Sequence, residues 1–444
     1  MVIPTSVVPV WLAAAALAAT VDASDATSPG TAGEPAAAGA VGGPGLALVA
    51  RKVLTAADGR GFLDNAVVLV REGRIEAVEP RRGFEFPAGY VVVDLGERWL
   101  APGLVELHCH VAAGLRDLSE TTYLTNPGMR ISVAVRPGNE LLREGVAGGV
   151  TTVLHIPGSA TNMGGQGVLM RSAFEHYEDA LLRDPGSLKL AQAGNPERRA
   201  PWYPGRSFMN YNTRSTFRRG LAYAKRTEEM EAGGPPVERD LQFDVFRELA
   251  VGRTQVSTHT QIYQVVLMTM TFADDFGVPF FIDHGTFDGW LAAPVAERLG
   301  VPAILGPRQI TNGIRAPGFA EYDQDGAIFG CAAKYQELGH TKVGFNTDCV
   351  GSRGRSVSQE ELSLQAAMGV RYGFDDSDMQ ALRGITSVPA ETIDFDHRLG
   401  SIEPGKDADL ICTSGDPVDP RSSVEIVWSR GIKVYDTAVD RRRF

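Results

Sequence analysis

A chain of 444 residues, 43% hydrophobic and 22% charged, has material for a large core and exceeds one ordinary domain; a (β/α)8 barrel of about 250 residues plus a smaller module fits it. The formal charge of −11 argues against a nucleic-acid partner, because phosphate binding needs clustered Lys and Arg. Cys109, Cys331, Cys349 and Cys412 lie far apart without a C-x-x-C pair, which argues against a zinc knot or disulfide framework and leaves four free thiols.

The first Lys or Arg is Arg51. Before it, Val7 to Ala19 is an apolar run of signal-peptide length, too short to span a bilayer comfortably, and Val21-Asp22-Ala23 offers a small-residue cleavage pattern. The expectation is export to a periplasm or the medium, with no stable membrane insertion after signal removal. The basic n-region is missing, so an Ala-rich leader on a cytoplasmic protein stays open as the alternative. Ala, Gly and Pro crowd positions 26 to 45, so residues 1–45 are read as leader and linker, and folding is expected to begin near Leu46.

Short β-branched runs at Leu46 to Val53, Asn65 to Val70, Arg74 to Val78 and Tyr90 to Val93 predict a small β module over residues 46–98. Residues 99–398 then alternate apolar strand-like runs with helical spacing, the pattern of βα units and a parallel sheet buried on both faces. A closed TM-type (β/α)8 barrel is the α/β architecture this predicts. Its strands are expected at Leu104 to His110, Val150 to Ile156, Leu188 to Gln192, Gln255 to Thr260, Pro279 to His284, Pro302 to Leu305 and Lys342 to Asp348, with Val168 to Ser172 as a weak eighth. Helices are expected at Ala173 to Leu182, Thr216 to Glu231, Glu238 to Leu249, Ile262 to Phe276 and Glu360 to Arg371. Segment 195 to 215, with Pro196, Pro201 and Pro204, reads as an irregular loop over the barrel mouth. Strand character returns at Asp409 to Thr413 and Val424 to Val434, so residues 399–444 are expected to join 46–98 in one β-sandwich domain.

Alternate residues on a strand share a side, so His108 and His110 converge on one point if both face the barrel interior, at the mouth where barrel active sites form. His259, His284 and Asp348 each sit where another apolar run meets a loop. Four histidines and an acid so placed predict the ligands of a divalent metal. Imidazole and carboxylate suit zinc, iron, nickel or manganese; zinc is the expectation, with one or two ions per chain. A bound divalent ion acidifies water and polarises a carbonyl. Asp348 is then the candidate general base for that water, and His284 the candidate to orient it. His155, ending Val150 to Leu154, is either a group for the substrate carbonyl or a satisfied core histidine. Gln166 and Gln261 are candidate substrate donors, and Arg353 and Arg355 are either carboxylate binders or solvated surface groups.

Ala101-Pro102-Gly103-Leu104-Val105-Glu106-Leu107-His108-Cys109-His110 resembles the first-strand motif of the amidohydrolase superfamily. Gly400-Ser401-Ile402-Glu403-Pro404-Gly405-Lys406-Asp407-Ala408-Asp409-Leu410 resembles that superfamily's return into the small β domain. Gly149-Val150-Thr151-Thr152, Gly164-Gly165-Gln166-Gly167, His284-Gly285-Thr286 and Thr347-Asp348 follow the order of imidazolonepropionase-like members, so the resemblance covers about Leu46 to Val434. It implies that His108, His110 and Asp348 hold one metal, that His259 and His284 hold a second, and that a carboxylated lysine, Lys189, bridges them. Two positions depart from the pattern: Ala193-Gly194 replaces Gly-Glu before Asn195-Pro196, and Gln261 stands where many relatives carry a second His. The expected activity is hydrolysis of the amide C–N bond of a small dipeptide-like or cyclic amide. A deaminase or true imidazolonepropionase ranks lower because the residue three after His259 is Ile262 rather than an acid, and a non-catalytic scaffold is the alternative of another class. The expected partner is a small-molecule substrate; self-association into a homo-oligomer is left open.

Overall fold

The β-branched runs at the two ends of the chain do pair. The computed structural model describes residues 43–201, 203–307, 309–311, 329–350 and 361–440. Residues 1–42 of the leader and linker expected over 1–45, and Arg353 and Arg355, lie outside those residues. One eight-stranded sheet joins β1 (Gly45–Leu54), β2 (Phe62–Arg71), β3 (Arg74–Pro80), β4 (Tyr90–Asp94) and β5 (Trp99–Pro102) to β16 (Leu410–Thr413), β17 (Val424–Ser429) and β18 (Ile432–Asp436). Its apolar face gathers Leu48, Val68, Ile75, Leu100, Leu410 and Trp428. The run Val424 to Val434 is not one strand: Arg430 and Gly431, at φ 50° and 70°, form the tight turn of a hairpin.

The chain enters the barrel at Gly103. Its sheet runs β6 (Leu104–Cys109), β7 (Val150–His155), β8 (Met163–Arg171), β9 (Leu181–Ala191), β10 (Val256–Thr260), β11 (Phe280–His284), β12 (Ala303–Leu305), β15 (Val343–Phe345). A two-residue pair, β13 (Ile310–Thr311) and β14 (Phe329–Gly330), stands apart from it. The ring closes between its first and last members by the parallel bridge of Cys109 to Cys349 and by the His110 N–H donating to the Cys349 carbonyl at 2.8 Å. The strands are buried on both faces, as a barrel inside a helical coat requires.

One strand differs from the expected all-parallel ring. The weak eighth candidate, Val168 to Ser172, is the end of β8, which runs antiparallel to both β7 and β9. The helix expected at Ala173 to Leu182 is therefore reduced to α2 (Tyr177–Ala180), because a meander needs no crossover helix and Leu181 already pairs with Met170.

The other coat helices are α1 (Glu140–Ala147), α3 (Arg206–Glu231), α4 (Val245–Ala250), α5 (Tyr263–Phe276), α6 (Ala293–Arg298), α7 (Cys331–Glu337), α8 (Leu362–Arg371), α9 (Gln380–Arg383) and α10 (Ser387–Thr392). Asn139 caps α1 by accepting from the Leu141 and Leu142 N–H groups, and Gly277 ends α5 in the left-handed conformation. Helix α3 starts ten residues before the expected Thr216. Its buried stripe Met209, Thr213, Thr216, Phe217, Gly220 and Ala224 has helical spacing that the preceding prolines obscured. The helix expected from Glu238 begins only at Val245, since Asp240 turns the chain by accepting the Gln242 N–H. Among the described residues no helix is long and apolar enough to cross a membrane. All four cysteines are buried and free of disulfides.

The motif from Gly400 to Leu410 fastens the sheet to the barrel. Asp407, 3% exposed, pairs with Arg171 at the end of β8, with Arg398 at 2.9 Å and with Arg74 at 3.0 Å. Asp409 accepts from Ser429 Oγ at 2.9 Å and from the Arg430 N–H at 2.7 Å. Gly400 needs its missing side chain: at φ 88° a Cβ there would lie 2.8 Å from Ala390 Cβ and from the Thr386 carbonyl. Replacing Asp407 by Asn removes the carboxylate in direct contact with buried Arg171 and leaves it Asp409, 3.9 Å away. We expect it to lower the unfolding free energy by about 3–5 kcal/mol in urea titration, and a change below about 0.5 kcal/mol would rule out this fastening.

Candidate metal centre

Each candidate side chain is delivered by the end of a barrel strand. His108 lies within β6 and His110 just past it; Lys189 is on β9, His259 on β10, His284 closes β11, and Asp348 follows β15. Two of them sit on strained backbone: His284 at φ 72° and Asp348 at φ 48° occupy the left-handed region, at a cost of about 1–3 kcal/mol each.

The side chains converge. His108 Nε2 and His110 Nε2 lie 3.3 and 3.5 Å from the same oxygen of Asp348. The ligand atoms of these three residues all fall within 4.8 Å of one another. The His108 and His284 rings are 4.4 Å apart, and His284 Nε2 is 2.9 Å from His259 Nδ1. Lys189 Nζ lies 3.4 Å from Asp283 Oδ2, while Asp283 Oδ1 is 3.2 Å from His108 Nδ1.

Backbone carbonyls select the tautomers. His110 Nδ1 donates to the Ile156 carbonyl and His284 Nδ1 donates to the Gly306 carbonyl, each at 2.8 Å. In the neutral rings both Nε2 atoms are therefore lone pairs. The lone pair of His110 faces a carboxylate, and that of His284 faces another imidazole nitrogen. Both nitrogens of His108 are buried without a hydrogen bond. A lone pair from His110 facing the Asp348 carboxylate, with His108 beside both and all three ligand atoms within 4.8 Å, is an arrangement that a divalent cation satisfies, so these residues fit one.

Burial holds the imidazoles neutral. It lowers the pKa of His110, lowers that of His259 well below its ordinary value with help from His284, and brings His284 down to about 3. His108 goes the other way, because Asp283 and Asp348 outweigh burial and Lys189. Burial acts to raise both acids, yet contacts from His108 and His110 hold Asp348 well below the carboxylate range, and His108 and Lys189 hold Asp283 down. The Lys189 ammonium is itself disfavoured by burial. Asp348, with 28% of its side chain exposed, faces the opening, whereas the side chains of His108, Lys189 and Asp283 have no exposure.

The remaining candidates sit around this centre in different ways. His155 is fully buried; its Nδ1 accepts from the Ala112 N–H at 3.2 Å, and burial takes its pKa to about 3. Gln166 is buried and donates to the Pro127 carbonyl at 2.8 Å. Gln261 is half-buried directly after β10. Three groups escaped the sequence reading. Asp283 precedes His284, and strand alternation would turn it away. Ser159 Oγ lies 2.9 Å from His259 Nδ1 on the loop after β7. Glu106 is fully buried and accepts from the His108 and Thr347 N–H groups; burial raises its pKa to about 7 against those donors. Its place two residues before His108, on the same side of the strand, was the available signal.

Comparison with known proteins agrees with this geometry. The sequence model of the Amidohydrolase family matches residues 332–436. The amidohydrolase tasK of Hapsidospora irregularis is 25% identical over 407 residues, which cover 84% of this chain and 40% of that protein. The chain thus spans about two fifths of the length of the curated relative it matches. The crystal structure of an amidohydrolase from Thermotoga maritima MSB8 superposes with a TM-score of 0.76 at 27% identity, covering 88% of this chain and all of that one. A prolidase complexed with N-methylphosphonate-L-proline shares the fold, with a TM-score of 0.56 at 19% identity over 88% of this chain and all of that one.

The carbonyl that orients His284 belongs to Gly306, where φ is 146° and an added Cβ would meet the Asn346 carbonyl at 2.2 Å. Gly306→Ala should therefore cost about 2 kcal/mol or more in chemical denaturation, and a variant as stable as the parent would contradict the tight packing described here.

Proposed function

The chain belongs to the amidohydrolase superfamily, and from that premise we propose that it is a metal-dependent hydrolase cleaving the amide C–N bond of a small dipeptide-like or cyclic amide substrate. The observation that carries this reading is the convergence of the His108, His110, His259, His284 and Asp348 side chains on one buried mouth. His108, His110 and Asp348 would hold one divalent ion and His259 and His284 a second, a donor set that zinc suits alongside iron, nickel and manganese. Lys189 would bridge them as a carbamate; its burial supports this by favouring the neutral amine that takes up carbon dioxide. When bound, the metal supplies a Lewis acid for the amide carbonyl and acidifies water at neutral pH.

The chain's own groups do the rest. Asp348, ionised and the most open of the acids, takes the proton of the attacking water and passes it to the leaving nitrogen, so that the amine departs neutral. His284, fixed by Gly306, keeps its Nε2 free of protons and holds that geometry. Gln261 at the rim donates to substrate. His155 and Gln166, engaged with Ala112 and Pro127, act through the pocket wall. A deaminase is disfavoured because Ile262 is buried against Ala193 and Val265, at a position where proton transfer would call for an acid.

Two measurements test the proposal. Elemental analysis of the purified chain should find one or two equivalents of a divalent metal, and chelation should abolish amide hydrolysis until metal is returned; a metal-free chain indifferent to added zinc or manganese would favour a scaffold. Asp348→Asn should fold and lose turnover by about 10²- to 10⁴-fold on any dipeptide or lactam the parent cleaves, and full retention of activity would remove Asp348 as the base.

A further inference from the structure

Glu106 sits beside a slip in the backbone ladder on one side and the end of a strand on the other. The pairing of β6 with β7 slips between Glu106 and Cys109, and Glu106 Oε1 takes the His108 N–H at 2.9 Å within that irregular stretch. On its other flank β15 ends at Phe345, and Glu106 Oε2 reaches across to the Thr347 N–H, also at 2.9 Å. One buried carboxylate therefore grips a candidate ligand, His108, and the residue immediately before another, Asp348. The ring is also closed near this level by the pairing of Cys109 and His110 with Cys349.

We infer that Glu106 is a positioning residue: by tying the two backbones together it sets the spacing of His108 and Asp348, and with it the affinity of the centre for a divalent cation. The inference rests on the metal reading above. Its physical basis is acceptor count and reach. A carboxylate offers an acceptor to each N–H, whereas a carboxamide turns one oxygen into a donor and sets N–H against N–H. An aspartate keeps both acceptors but is one methylene short of spanning the gap. A residue that merely stabilised the fold would change the melting temperature and leave cation affinity alone. One that sets ligand spacing changes affinity in protein that is still folded.

The test uses Glu106→Gln and Glu106→Asp in the full chain beside the parent, with zinc affinity read by competition against a chromophoric chelator and the coordination read from the visible spectrum of the cobalt form. In folded Glu106→Gln we expect zinc affinity to fall by about 10- to 100-fold and the cobalt spectrum to change, with Glu106→Asp shifted in the same direction. Parental affinity and spectrum in folded Glu106→Gln, even with a lowered melting temperature, would overturn the inference, as would failure of both variants to fold. If the parent itself binds no zinc or cobalt, the metal reading falls and this inference with it, an outcome distinct from parental metal binding that the variants leave unchanged.

Discussion

The structure depends on a pattern of protons more than on any one contact. Two main-chain carbonyls, of Ile156 and Gly306, each take an imidazole N–H, which forces the opposite nitrogens of His110 and His284 to present lone pairs to the centre of the barrel. Asp348 presents carboxylate oxygens to the same space, and His259 Nδ1 lies 2.9 Å from His284 Nε2. Burial then removes the ordinary escape, because protonating His284 or His259 would place a cation where solvent cannot reach it. The strained backbone at His284 and Asp348 shows what the fold tolerates to keep this set together.

Much of this was legible in the sequence, and the reasons are specific. His108 and His110 could be paired because strand geometry has a period of two, and their position at the end of an apolar run located them at the mouth. The sheet at the chain ends was visible in its alternation. The direction of β8 was not, since a short apolar run after Gly164-Gly165-Gln166-Gly167 reads identically in either sense. Asp283 was hidden for a related reason: alternation places it opposite His284, and the left-handed turn at His284 brings both toward the centre. Tautomers and carbonyl partners are properties of the folded backbone and leave no trace in residue order.

The most specific sequence motif turned out to be remote from the chemistry. In Gly400 to Leu410 the glycine at its head allows a close approach to Ser387 and Ala390, and the two acids meet buried arginine and backbone donors at the joint between sheet and barrel. That joint lies at the end of β8 distant from the connection that carries Ser159. The sheet therefore bears on the barrel wall rather than on the mouth, and its identity as a recognition signature reflects packing rather than catalysis.

The reversal of β8 also has a kinetic side. Strands β7, β8 and β9 form a meander whose partners are near neighbours along the chain, so this third of the ring can assemble by local zippering with little loop-closure entropy. The seam between the first and last strands is the opposite case: the Glu106 to Thr347 contact joins residues 241 apart. Productive folding should thus begin at the meander and finish at the seam, which makes the candidate metal centre among the last parts of the molecule to take shape.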